Sequence, residues 1–158
     1  MRAMSVHFEP QAHIRDFIDF RRREAENELR ELVPYAELEH VGSTAVPSGW
    51  TNGEVDIQVR VPAEMRGAAE KLIAERYTKD DAGGMEGFSY YRHEGRGVRL
   101  HVTVVDEEND LLKRQRDLLL EQPLLRDRYD GIKRRHQDGD IAAYQAEKQK
   151  FWSENGRA

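Results

Sequence analysis

The chain contains no cysteine. That excludes disulfide staples, cysteine-ligated metals and thiol catalysis, and it suits a reducing compartment, so a cytoplasmic location is the expectation. Long apolar runs are missing too: none approaches the ~20 residues of a membrane-spanning helix. No signal-peptide pattern opens the sequence, so a membrane partner is not expected. Internal repeats and low-complexity tracts are also lacking, which sets aside solenoids and arrays.

What is there is a polar chain of 158 residues, 35% charged and 38% apolar. That length suits one domain over 1–158, with room for one core. A net charge of −5 argues against a globally basic nucleic-acid binder but conceals an asymmetry. From Leu111 to Gln137 eight Lys or Arg face four Asp or Glu, so this stretch is +4 and the remainder −9. A basic segment inside an acidic chain points to a local anion site.

Hydrophobic spacing divides the chain into elements. Ile14, Phe17, Ile18, Arg21 and Ala25 lie at three-to-four spacing, predicting an amphipathic helix from about Pro10 to Val33, stopped by Pro34. A short strand is expected over Ala36 to Val41, then a loop rich in Gly, Ser, Thr and Pro from Gly42 to Gly53. Glu54 to Val61 alternates strictly and is the clearest strand. Pro62 starts a helix reaching about Tyr77, with Met65, Ala69, Leu72 and Ile73 inward. Gly83, Gly84 and Gly87 mark a loop, and Phe88 to His93 pairs with Val98 to Val105 in a hairpin around Glu94 to Gly97. Helices follow over about Asn109 to Glu121, Pro123 to His136 and Asp140 to Ser153. The order predicts an α+β domain with a small mixed sheet.

Two strands carry chemistry on one side. Period-two alternation puts Val55, Ile57, Val59 and Val61 on one face and Glu54, Asp56, Gln58 and Arg60 on the other. The second strand likewise separates Val98, Leu100, Val102 and Val104 from Arg99, His101 and Thr103. A wet outer face of an antiparallel sheet gives the same pattern. The segment His40-Val41-Gly42-Ser43-Thr44 shifts the balance towards a site. A Gly-Ser turn lets backbone amides and a hydroxyl approach phosphate oxygens. Glu54 and Asp56, at i and i+2, point the same way and together suit Mg²⁺, which takes oxygen ligands and bridges protein to substrate phosphates. Phosphoryl or nucleotidyl transfer needs little more than such positioning and charge neutralisation.

Glu39 to Pro47, reading EHVGSTAVP, followed by Val55-Asp56-Ile57, resembles the GrpB family of the nucleotidyltransferase superfamily. Similarity continues through Leu100-His101-Val102, Arg116-Asp117, Tyr129, Lys133, Tyr144 and Lys148, from about His7 to Trp152. The resemblance implies the polymerase-β-like nucleotidyltransferase fold, with the Gly-Ser turn on nucleotide phosphate and strand acids on Mg²⁺. Departures are visible. Where the family has a Gly-Leu-Ala-Ala-Lys-Pro-like stretch, this chain has Ser48 to Gly53, and Asn52 takes the expected lysine's place. Glu54 replaces a usually apolar residue, and Gln58 sits where a second acid might pair with Asp56. The third superfamily acid has no carboxylate counterpart on the neighbouring strand, which offers His101 instead, with Asp106 just past it. Either His101 is the base, or the chain binds nucleotide without transferring it.

The expected function is therefore a Mg²⁺-dependent nucleotidyltransferase-like enzyme using a nucleoside triphosphate, ATP by preference, and a small-molecule acceptor. Glu54, Asp56 and His101 are its candidate catalytic residues, the first two also its metal ligands. Gly42, Ser43, Thr44, Arg99, Arg116, Lys133 and Lys148 are candidates for nucleotide and phosphate. His40 is a candidate site residue or a structural histidine, and Trp50 a stacking platform or a cover on the core. Tyr144, Lys148 and Trp152 form one helical stripe, whose aromatics read as core packing. A nucleotide- or anion-binding module is the alternative. An RNA-binding accessory domain fits less well, because the −9 remainder lacks a broad basic stripe.

Overall fold

Alternation of valine and isoleucine with polar residues builds the centre of the molecule. In the computed structural model, which describes residues 6–46, 49–80, 88–105 and 110–155, β4 (Val55–Val61) is an inner strand. It pairs antiparallel with β2 (Glu37–Val41) and parallel with β7 (Val98–Val104). Strand β7 pairs antiparallel with β6 (Phe88–His93), and β6 with the edge strand β5 (Thr78–Asp80). The five-stranded mixed sheet thus runs β2-β4-β7-β6-β5. A separate two-stranded ribbon joins β1 (Glu9–Pro10) to β3 (Trp50–Thr51). Gly97, at φ +63°, closes the β6–β7 hairpin in the left-handed region, where glycine alone is unstrained.

The apolar sheet face is covered by α1 (Arg15–Leu32) and α2 (Arg66–Ile73). Ile18, Ala25, Leu29, Ala69 and Ile73 pack there on Val55, Ile57, Val59, Leu100 and Val102, all nearly or fully buried. Helices α3 (Leu111–Glu121), α4 (Pro123–Arg135) and α5 (Ile141–Asn155) build a second core with Val6, Phe8 and Val46. The expectation of one core is corrected: among the described residues, the buried apolar side chains divide into two clusters. Helix α3 reaches the polar face of the sheet, where Arg60 pairs with Asp110 at 2.9 Å and Arg116 with Glu39 at 2.8 Å. Gln58 and Thr103 are consequently fully buried and hydrogen-bonded to each other at 3.1 Å, so this face is not a solvated one.

The α+β class and the mixed sheet are as the sequence predicts. Helix α1 starts later, at Arg15, because Gln11–His13 forms a separate 3₁₀ turn. Phe17, expected inward, is 67% exposed: Ile18, Ala25 and Leu29 define the packed stripe and Phe17 lies outside it. A 3₁₀ turn at Ala63–Met65 precedes α2, which ends at Ile73, short of Tyr77. The Gly83, Gly84 and Gly87 loop and Asp106 lie outside the described residues.

Candidate functional site

Strand β2 ends at Val41, and the chain turns through Gly42 at φ +77°, ψ −170° into a 3₁₀ turn, Ser43–Ala45. A Cβ on Gly42 would sit 2.4 Å from Asp56 Oδ2, so the turn lies directly on that carboxylate. Only glycine satisfies both the dihedral and the contact. The turn is held from several sides. Ser43 Oγ meets Thr51 Oγ1 at 2.7 Å, and His40 Nε2 meets Thr44 Oγ1 at 2.8 Å. The Gln11 side chain donates to the Ser43 carbonyl at 3.4 Å. Asn52, in the expected lysine position, accepts the Glu54 amide at 3.1 Å and so fixes the approach to β4.

Asp56 and His101 form the centre of the polar face, with Asp56 Oδ1 and His101 Nε2 3.0 Å apart. The other imidazole nitrogen, Nδ1, is buried without a hydrogen-bond partner among the described residues. Burial, and next the negative charge of Asp56, push the Glu54 carboxyl above the usual carboxylate range; Arg92 opposes this from 3.8 Å. Arg92 and Arg99 stand directly opposite each other in the β6–β7 register. Asp80 lies between their guanidinium groups, at 3.5 and 3.8 Å, and Arg99 also covers the Tyr90 ring at 5.1 Å.

These groups line one end of a cavity of about 630 Å³ that continues to α4 and α5. Of the residues selected from sequence, it brings together Gly42, Ser43, Glu54, Asp56, Arg99, His101, Arg116 and Lys148. Arg116 is heavily engaged, donating to Glu39, to Asp117 and to the His40 carbonyl. Four others stand apart from the cavity lining. Thr44 is buried on His40. The His40 imidazole is pushed down to about 4, by burial first and then by Arg22 and Arg116, so it is neutral at physiological pH. Lys133 is 3% exposed; its ammonium donates to the Trp50 carbonyl at 2.7 Å and lies 4.4 Å from the Tyr129 ring centre. Trp50 packs on the α4–α5 core under the Arg134 guanidinium, and Asp130 accepts its amide at 3.1 Å.

Sequence reasoning did not select Asn52, Asp80, Arg92, Tyr129, Tyr144 or Trp152, all of which line the cavity. Arg92 carries a signal in hindsight, since it lies in the same hairpin as Arg99 and directly across from it. Among the described residues, no group of three or more His, Asp or Glu side chains converges as a ready metal centre. Nor, among them, is any helix long and apolar enough to cross a membrane. Glu54 and Asp56 do suit a hard cation that completes its shell with substrate oxygens and water. Burial first, and then repulsion from Asp56, raise the Glu54 carboxyl, and such an ion would relieve the repulsion.

The model of the GrpB protein family matches residues 18–156. The crystal structure of the conserved protein GrpB from Enterococcus faecalis is similar with a TM-score of 0.69 and 24% identity, over 87% of this chain and 91% of that one. A structure of the Cid1 poly(U) polymerase aligns with a TM-score of 0.48 and 17% identity over 74% of this chain, which spans only 38% of Cid1. A cytoplasmic RNA terminal U-transferase aligns at 0.45 and 20% identity, over 77% of this chain and 36% of that one. Comparison with curated proteins gives no significant match.

Proposed function

The chain belongs to the GrpB family, and from that premise we propose that it is a Mg²⁺-dependent nucleotidyltransferase-like enzyme. It would bind a nucleoside triphosphate, ATP by preference, and transfer its nucleotidyl group to a small molecule in the cytoplasm. The observation that carries this reading is the glycine turn pressed onto Asp56, with Ser43, Glu54 and Arg99 lining the same cavity. A turn without a Cβ allows phosphate oxygens to approach the backbone beside the carboxylates.

Each residue has a distinct task. Gly42 and Ser43 would seat the phosphates, and Glu54 and Asp56, in the same cavity lining, would hold the cation. When bound, Mg²⁺ would neutralise the triphosphate oxygens and favour loss of pyrophosphate. Arg99, with Arg92 opposite it, supplies positive charge to the outer phosphates. His101 holds Asp56 through Nε2, while its Nδ1 is buried. Neither nitrogen is therefore presented to an acceptor hydroxyl, and His101 orients Asp56 rather than abstracting a proton. His40 and Thr44 hold the phosphate turn from behind.

That arrangement of His101 also favours a second reading, a nucleotide-binding module without transfer, because the third carboxylate in the cavity lining, Asp80, is held between Arg92 and Arg99. Pyrophosphate release from Mg²⁺–ATP, screened against small-molecule hydroxyl and amine acceptors, separates the two. Release that depends on an acceptor and disappears in Asp56→Ala supports transfer. Tight Mg²⁺–ATP binding without release for any acceptor supports the module. RNA affinity with a steep salt dependence, unchanged in Asp56→Ala, contradicts both.

A further inference from the structure

The two ends of the cavity differ in chemistry. One carries the phosphate turn and the carboxylates; the other is walled by Phe8, Leu119, Tyr144 and Trp152, with Lys148 on α5 among them. The other cations lining the cavity already have carboxylate partners: Arg92 and Arg99 share Asp80, and Arg116 has Glu39 and Asp117. Lys133, just behind the wall, has Asp130 and the Trp50 carbonyl. Lys148 differs. Its ammonium lies 6.0 Å from the Tyr144 ring centre, and among the described residues it has no carboxylate within ion-pair distance and no hydrogen-bond partner. A half-buried ammonium with no carboxylate beside it is a ready partner for an anion brought by a ligand.

A nucleobase does not fill that role, since it carries no negative charge at neutral pH. The triphosphate has its own seat at the Gly42–Ser43 end. Resting on the nucleotidyltransferase reading above, we propose that the α5 end of the cavity is the acceptor pocket. Its ligand is a small molecule with an aromatic or apolar body and one carboxylate or phosphate group. The anion pairs with Lys148, the body lies against Phe8, Leu119 and Tyr144, and the far end of the molecule points toward the phosphate turn. Gln145, also in the lining, adds an amide that can bond a polar substituent. A neutral molecule of the same shape leaves Lys148 uncompensated and binds less well.

The test is a calorimetric titration of the full chain with benzoate, indole-3-acetate and phenyl phosphate, and with benzamide as the neutral counterpart, each with and without Mg²⁺–ATP. The expected result is millimolar or tighter binding of at least one anion, with benzamide about tenfold weaker or more. Comparison of phenyl phosphate with the two carboxylates then identifies the preferred anion. Lys148→Met lowers anion affinity about tenfold or more while Lys148→Arg keeps it within about threefold. The anion and Mg²⁺–ATP bind together, and Lys148→Met leaves Mg²⁺–ATP affinity unchanged.

Absence of binding by all three anions overturns the proposal, as does mutual exclusion with Mg²⁺–ATP. If Lys148→Met weakens Mg²⁺–ATP as much as the anions, Lys148 belongs to the triphosphate, and the acceptor pocket fails while the nucleotide reading stands. If the anions bind in a Lys148-dependent way but Mg²⁺–ATP does not bind the native chain, the pocket stands and the nucleotide reading fails.

Discussion

Replacing Gly42 by alanine perturbs the site through one methyl group. The backbone at φ +77°, ψ −170° lies in a region that residues with a Cβ occupy at a cost of about 1–3 kcal/mol. The added carbon would also fall 2.4 Å from Asp56 Oδ2, about 1 Å short of ordinary contact. Either the turn lifts or the carboxylate swings away from His101, and displacements of about 1 Å at a reacting centre can cost about a hundredfold in rate. Gly42→Ala is therefore expected to lose about 2–4 kcal/mol in urea unfolding and most of its Mg²⁺-dependent nucleotide affinity. Gly67, in α2, is the internal control: nothing lies within 4 Å of its Cβ position. Gly67→Ala should gain about 0.5–1 kcal/mol and bind nucleotide as the native chain does. A Gly42→Ala protein within about 0.5 kcal/mol of native stability, with unchanged nucleotide binding, would refute the claim that this turn is built around the carboxylate.

His40 provides a pH test. Its pKa falls from about 6.5 in the unfolded chain to about 4 in the native one. Its contribution is thus complete above pH 6.5 and is lost as pH falls towards 4, about 3 kcal/mol at most. Urea unfolding of His40→Gln should show a correspondingly weaker loss between pH 7 and 4, and parallel curves would contradict it. Glu54→Gln removes a carboxylate pushed up by burial and by Asp56, so without divalent cations this variant should be more stable than native at pH 7. Thermal melts with added Mg²⁺ should then stabilise the native chain more than the variant. Lys133→Met strips the cation from buried Asp130 and the donor from the Trp50 carbonyl, and should cost about 3–5 kcal/mol in urea unfolding; a loss below about 1 kcal/mol would show that the pair is not structural.

The sheet was legible where sequence period and burial agree. Strict alternation from Val55 to Val61 places four fully buried aliphatics on one face, and the prolines and glycines mark most element boundaries. The short elements were not legible. Strand β5 has three residues, and β1 and β3 have two each. They exist because a neighbouring strand fixes them, which no local pattern records.

The grouping of the Gly-Ser turn with Glu54 and Asp56 in one cavity lining agrees with their spacing, since Asp56 lies in β4, Glu54 immediately precedes it and the turn comes shortly before both. The other end was not legible in this way. Tyr144, Lys148 and Trp152 at four-residue spacing look the same whether the stripe meets a core or a cavity, and here it meets both. Lys133 shows the opposite ambiguity. It stands in a basic stretch that suggests an anion site, but the β1–β3 ribbon brings the Trp50 carbonyl over α4 and claims its charge. Sequence spacing cannot distinguish these two lysines; only the tertiary placement of β3 does.

Glu54, Asp56 and the Gly42–Ser43 turn are proposed to hold a nucleotide through a divalent cation. Calorimetric titration of ATP into the native chain and into Asp56→Ala, each with Mg²⁺ and with chelator, tests it most directly. The account predicts binding by the native chain only when Mg²⁺ is present, and its loss in Asp56→Ala. Equal ATP binding with and without Mg²⁺, unchanged by Asp56→Ala, or no binding under either condition, would contradict it.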